Sequence, residues 1–310
     1  MSDSQNPREV YGRTLVEIGR ENPNVVVLEA DLGKSTMSCY FEETFPDRFF
    51  EMGIAEANMT SFAAGLSLTG KIPFTNSFAV FAAGRAFDQI RQGICIPGLN
   101  VRIVGSSCGL SDFGDGSTHQ SIEDVSIMRA LPNMTVLVPA DGNETRTMTR
   151  ALVDYRGPVY MRITRNDLPD VMPADEPFVA GKPHLVRKGS DVVVYANGQM
   201  VSLALQASEI VAGEGLSLRV VNVSSMKPVD AAALRELAGG MKGVVTAEEH
   251  SLVGGLSSLI HETLHGISLS IRSVGIRDSF GQSAHSYEDL LEAYGLTPRH
   301  IADAVRQVAK

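Results

Sequence analysis

Glu56, Asp115 and His119 are the side chains of this sequence best suited to moving protons. Glu56 lies within "EMGIAEANMTSFAAGLSLTG", residues 51–70. An acid in the first turn of an otherwise neutral, small-residue helix complements the helix dipole and needs no function. The alternative is a carboxyl whose pKa is raised by apolar surroundings, able to share a proton with a nitrogen heterocycle. Asp115 and His119 share the stretch "FGDGSTHQ", residues 113–120. A Gly-rich, hydroxyl-rich loop after a strand exposes side chains and backbone N–H groups to a ligand. An Asp–His pair there can bind a polyol and exchange a proton with it. A lone histidine is more often structural, and the residues alone leave both readings open.

Two further groups accompany them. Phe78, Phe81 and Phe87 sit in "NSFAVFAAGRAFDQIRQG", residues 76–93. Helical spacing makes a core stripe the default, but Phe78 and Phe81 straddle a strand end and a helix start, where a flat ring can be stacked. Arg8, Ser35 and Arg165 are scattered anion-binding candidates, or simply surface residues. Arg165 follows "PVYMRI", where an open α/β sheet puts ligand contacts.

The Gly114-Asp115-Gly116 triplet, with Asn143 downstream, invites a metal-site reading. Its setting argues against one. A metal-diphosphate loop puts such a triplet at a strand end leading into a helix, whereas here the strand "NVRIVGSS" ends well before it and "STHQ" prolongs the loop. Asn143 follows "VPADG" and reads as the first turn of a helix. No metal ligands are expected on this chain.

The elements that must position these residues alternate regularly. "NVVVLEAD" (24–31), "IPFTNSF" (72–78), "NVRIVGSS" (100–107), "TVLVPA" (135–140) and "PVYMRI" (158–163) read as strands. Helical patterns near 8–20, 55–69, 80–94, 122–131 and 142–155 fall among them. Buried β runs between helices indicate a parallel sheet covered on both faces. Residues 166–186, with four prolines and four acids, form a linker. A second unit then follows, with strands at 191–198, 218–225, 243–250 and 271–278 and helices near 200–213, 230–239, 254–265 and 286–308. The fold class is α/β, two tandem open α/β domains: 1–165 and a smaller one at 187–310. Ligands belong beyond the carboxyl ends of the strands.

Bulk properties narrow the function classes. The chain has 310 residues, 44% hydrophobic and 20% charged, an ordinary globular mixture. A net charge of -9 disfavours nucleic acid or an anionic membrane as the main partner. Cys39, Cys95 and Cys108 form no CxxC pattern and read as reduced thiols of a cytosolic protein. "MSDSQNPREV" has no apolar core and is not a signal peptide. Between Ala57 and Gly84 the only charge is Lys71, but Pro73 and the many Ser, Thr and Asn make this helix, strand and helix rather than a membrane span.

The motifs "EADLGKST", "EMGIAEANMTSFAAGLSLTG", "GDGSTHQSIED", "LPNMTVLVPAD", "TAEEHSLVGGL" and "GIRDSFGQS" occur in order from about residue 8 to the end. Through them the chain resembles the C-terminal part of transketolase: its pyrimidine-binding domain (1–165), a linker and its C-terminal domain (187–310). The resemblance implies thiamine diphosphate as cofactor. It implies Mg2+ or Ca2+ held by a separate partner chain that carries the diphosphate-binding domain, with two copies of each chain and a homodimer when the partner is absent. It implies Glu56 as the glutamate that hydrogen-bonds the cofactor's pyrimidine ring, Phe78 and Phe81 as aromatics packed on that ring, and Asp31 as part of a turn near the cofactor. Asp115 corresponds to an aspartate contacting a sugar hydroxyl, His119 to a histidine assisting substrate proton transfer, and Arg8, Ser35 and Arg165 to phosphate ligands.

Two departures stand out. Gly84 replaces a third aromatic of many transketolases, and Ser107 replaces a phosphate-contacting histidine. The second implies a substrate whose terminal anion or chain length differs from that of pentose phosphates. The implied reaction moves a two-carbon ketol unit from a ketose to an aldose. Rival readings are a beta subunit of a 2-oxoacid or acetoin dehydrogenase, a deoxyxylulose-phosphate synthase fragment, or a non-catalytic regulator of a transketolase. "GDGSTHQ" argues against the first, since Asp and His placed for sugar hydroxyls have no evident role with a small oxoacid.

Overall fold

Fourteen strands define the architecture of the computed structural model, which describes residues 4–310 and leaves residues 1–3 outside. In chain order they are β1 (Ser4–Gln5), β2 (Val25–Glu29), β3 (Phe49–Glu51), β4 (Ile72–Phe78), β5 (Arg102–Ser106), β6 (Thr135–Leu137), β7 (Val159–Arg162) and β8 (Leu168–Pro169). There follow β9 (His184–Arg187), β10 (Val192–Ala196), β11 (Leu218–Asn222), β12 (Ser225–Lys227), β13 (Gly243–Ser251) and β14 (Ser270–Ile276). The first large sheet has the order β12-β6-β7-β5-β4-β2-β3, and the second β14-β13-β10-β11-β9. Every pairing among β2 to β7 is parallel. So is each pairing among β10, β11, β13 and β14. Runs such as "VVVLE" and "VVVYA" are buried along their whole length, as strands covered on both faces must be.

Several details differ from the sequence-based expectation, among them the strand expected over 218–225, which is two, β11 and β12. The stretch expected as linker contains β8, which pairs antiparallel with β1, and β9, which pairs antiparallel with β11. The helix expected over 80–94 is broken: Ala79–Gly84 and Phe87–Gln89 are helical, and Ile90–Cys95 widens into a π-helix. Gly84, the weakest helix former available there, ends the first piece. The helix expected over 286–308 is two, Tyr287–Ala293 and Pro298–Val308. Gly295 at φ +70° leaves the first and Pro298 starts the second, the usual stop and start chemistry.

The two units share one interior. A continuous buried cluster joins Val26, Met59, Ile103 and Val136 to Tyr195, Val221, Val244 and Leu256. Strand β12, which follows β11 in the chain, leaves its own sheet and pairs antiparallel with β6 at the edge of the first. This shared apolar cluster is removed from water, which holds one unit on the other.

Candidate active site

The carboxyl ends of β2, β4, β5 and β7 lie side by side, and each expected site residue except Arg8 lies at or beyond an element at that end. Glutamates at two strand ends organise the first loops. Glu29 is fully buried and accepts from the Ala30 N–H at 3.0 Å, Thr36 Oγ1 at 2.7 Å and Ser38 Oγ at 2.5 Å. Burial pushes its pKa up to about 7 against those hydrogen bonds. Glu51 Oε1 accepts from the Asp31 N–H at 2.9 Å and the Gly53 N–H at 2.8 Å. It therefore ties the Asp31 turn to the entry of the helix that begins with Glu56. Asp31 itself is exposed and has φ +62°, a left-handed conformation that costs a non-glycine residue energy. Sequence reasoning missed both glutamates, although each is the last acid of a strand in "LEAD" and "FFEMG".

Glu56, Phe78, Phe81 and His119 come together. Glu56 is the first residue of helix Glu56–Leu68 and only 3% exposed. No side chain caps that helix, so its free N–H groups favour an anion there. Its surroundings differ from the apolar ones expected, because Arg85 Nη1 donates to Glu56 Oε1 at 2.9 Å. The Arg85 guanidinium also lies 3.9 Å over the Phe81 ring. Phe78 and Phe81 are nearly parallel, 17° apart with centroids at 6.1 Å. The His119 ring presents an edge-on geometry to both, at 6.1 Å from Phe78 and 5.2 Å from Phe81. Its Nδ1 is 2.9 Å from Thr118 Oγ1. Arg85 was not anticipated; its spacing of four from Phe81 within a helical pattern is the signal that could have found it.

Arg8, Ser35 and Arg165 gather with an unforeseen fourth member, Asp112. Arg8 stands in the first turn of helix Pro7–Glu21, opened by Asn6, whose side chain accepts from the Arg8 N–H. Arg8 Nη1 donates to the Ser35 carbonyl at 2.8 Å. Arg165 Nη1 donates to Asp112 Oδ2 at 3.0 Å. Ser107 is fully buried just past β5, at φ +52°, with no partner for its Oγ. Gly84 and Asp115 are exposed. Asn143 lies in the first turn of helix Gly142–Ala151, donating to the Met172 carbonyl and accepting from Gln5. It therefore braces the segment after β8 rather than facing Asp115.

The second unit holds the loop that carries Asp112, Asp115 and His119. Glu249 Oε1 accepts from the Leu110 N–H at 2.6 Å. Gln120 Nε2 donates to the carbonyls of Asp112 at 3.2 Å and Gln282 at 3.0 Å. Beneath lies a buried ionic cluster. Arg162 and Asp124 are paired at 2.9 Å, and Tyr160 donates to Asp124 Oδ2 at 2.7 Å. Glu248 and Glu249 are raised to about 7, chiefly by burial, and burial lowers His250 to about 4. Among the described residues no three His, Cys, Asp or Glu side chains cluster as metal ligands, and no helix is long and apolar enough to cross a membrane.

Comparison with known proteins adds to this geometry. The family model "Transketolase, pyrimidine binding domain" matches residues 3–171, and "Transketolase, C-terminal domain" matches residues 181–301. A 6-deoxy-6-sulfo-D-fructose transketolase subunit of Clostridium sp. (strain MSTE9) is 40% identical, covering 98% of this chain and 94% of that one. An apulose-4-phosphate transketolase subunit of Phocaeicola vulgatus is 34% identical, covering 98% and 97%. A solved structure described as a split gene transketolase, inactive beta4 tetramer, superposes with a TM-score of 0.88 at 45% identity, covering 98% and 97%.

Proposed function

The chain belongs to the transketolase family, with that family's pyrimidine-binding and C-terminal domains, and from this we propose that it is the pyrimidine-side subunit of a split, thiamine-diphosphate-dependent transketolase. The complex transfers a two-carbon ketol unit from a ketose to an aldose. We take residues 1–165 as the pyrimidine-binding domain, 166–186 as linker and 187–310 as the C-terminal domain. The partner is an N-terminal subunit that carries the diphosphate-binding domain and the Mg2+ or Ca2+ ligands, in an α2β2 assembly in the cytoplasm. That similar proteins of nearly the same length are described as transketolase subunits supports this arrangement.

The observation that carries the reading is the convergence of Glu56, Phe78, Phe81 and His119 at one sheet end. A buried carboxyl beside a pair of parallel aromatic rings fits the aminopyrimidine end of thiamine diphosphate. When bound, the cofactor supplies the carbanion chemistry that side chains lack. The protein's tasks are binding, orientation and proton handling. Glu56 holds the pyrimidine edge by a hydrogen bond, and Phe78 and Phe81 wall the ring off from water. Arg85 engages only Glu56 Oε1, which leaves Oε2 for the heterocycle. His119, with Asp115, holds sugar hydroxyls and passes a proton to or from the substrate oxygen. Arg8, Ser35, Ser107 and Arg165 receive the distal end of the sugar, and Asp31 shapes the entrance near the cofactor.

Purification of the chain alone and with its partner tests this. The expected result is no ketol transfer by the chain alone and cofactor-dependent transfer by the complex. A complex that keeps full activity with Glu56→Gln sinks the assignment of roles.

A further inference from the structure

The cleft at Arg8 and Arg165 contains a fixed negative charge. Asp112 is 4% exposed, and its Oδ2 accepts from Arg165 Nη1 at 3.0 Å. The backbone that carries it is held, because the Asp112 carbonyl accepts from the Gly116 N–H at 3.1 Å and from Gln120 Nε2 at 3.2 Å. Arg8 is 9% exposed, and its Nε is buried without a hydrogen-bond partner, a donor free for a ligand. Burial above all, and then Arg165, push the Arg8 pKa down, while Asp112, Asp167 and Glu9 push it up. All these groups are thus within electrostatic reach of one another. Asp167 is exposed and the Glu9 side chain is 41% exposed, so water screens both, and the two guanidinium groups with the buried Asp112 carboxylate leave one net positive charge at the heart of the cleft.

A phosphate ester carries close to two negative charges at neutral pH. Seated between Arg8 and Arg165 it would lie against the Asp112 carboxylate, and like charges in a partly buried site repel strongly. A singly charged end group meets the single net positive charge without that excess. Resting on the transketolase reading given above, we propose that Asp112 is a specificity-determining residue: by countercharging Arg165 it sets the cleft for a sugar whose distal end carries a single negative charge, such as a sulfonate or a carboxylate, and against a phosphate dianion.

Two experiments test this. In the assembled complex, with hydroxypyruvate as a donor lacking any distal anion, aldehyde acceptors of equal length ending in sulfonate or phosphate are compared. The wild type should favour the sulfonate by about tenfold or more in kcat/KM, and Asp112→Asn should erase that preference, the change falling on KM rather than kcat. The wild-type KM for the phosphate acceptor should fall as pH is lowered toward about 6, where phosphate gains a proton, and this slope should flatten in Asp112→Asn. A wild-type preference for phosphate, or an unchanged preference in both Asp112→Asn and Asp112→Ser, overturns the proposal. The second experiment needs no turnover. Methanesulfonate should raise the Tm of the full chain more than methyl phosphate does at equal concentration, with the order reversed in Asp112→Asn. The opposite order in the wild type overturns the proposal. A complex inactive with hydroxypyruvate, in which the Tm order still holds, counts against the transketolase reading alone.

Discussion

Arg85 bridges Glu56 and the Phe81 ring, but the two partners of this ion pair are unequally exposed: the glutamate side chain is 3% accessible and the arginine 49%. Removing one is therefore not equivalent to removing the other. Arg85→Ala strands a buried carboxylate and should cost about 1–3 kcal/mol. Glu56→Gln leaves an arginine that water solvates, and should cost less than about 1 kcal/mol. Turnover of the assembled complex should follow the reverse order, with Glu56→Gln lowering kcat by about 10²–10⁴. Denaturation curves and rates on the two variants check both halves.

Gly116 sits between Asp115 and His119 at φ +75°. A Cβ placed there would lie 2.4 Å from Ser283 Oγ and 2.7 Å from the Ser283 nitrogen, both in the second unit. Gly116→Ala should cost more than about 1 kcal/mol. It should also displace the loop, so that KM for sugars rises. An alanine variant with unchanged KM would show that the loop's seat on Ser283 does not govern substrate contact.

Asp124 is fully buried and shared by Arg162 and Tyr160. Asp124→Ala leaves the Arg162 charge buried and unpaired, and should cost about 3–5 kcal/mol. Tyr160→Phe removes a single hydrogen bond and should cost closer to about 1 kcal/mol. Chemical denaturation of the two variants gives this ratio directly.

Stability should fall as pH rises from about 4.5 to about 7. Glu29, Glu144, Glu248 and Glu249 are each raised to about 7 in the folded chain, so in this window the native state binds more protons than the unfolded one. His250, lowered to about 4, works in the opposite direction between about 4 and 6.5, but it is one group against four. Glu249→Gln should flatten part of the slope, since an amide oxygen can still accept from the Leu110 N–H. Melting temperatures across this range, for wild type and variant, measure it. A slope rising toward pH 7 would contradict the assigned directions.

Strands such as β2, β5 and β10 were legible because apolar runs covered on both faces leave a continuous sequence signature. Glu56 was legible as a first-turn acid, since the helix pattern after it is neutral. Its pairing with Arg85 was not, because Arg85 sits at the end of a separate helix, and its spacing from Phe81 records only that local contact. Asp112 was missed for the same reason: its pairing with Arg165 joins loops 53 positions apart. β3, β8, β9 and β12 have two to four residues each, too few for a period to show. The buried Glu248, Glu249 and His250 drew notice only as part of a motif, and their ionic surroundings are assembled by both units.

Strand β12 bears on how the polypeptide can be divided. Its backbone completes an edge of the sheet built by the first half, covering β6. Cleavage within 166–186 would leave the amino-terminal fragment with an uncovered sheet margin, and such margins recruit strands from other molecules. The carboxy-terminal fragment would carry a strand with no mate. Expressed separately, the pieces should precipitate; co-expressed, they should reassociate. For protein engineers the permissible cut therefore lies outside both sheets, and the linker, despite its prolines and acids, is not a place where this protein comes apart.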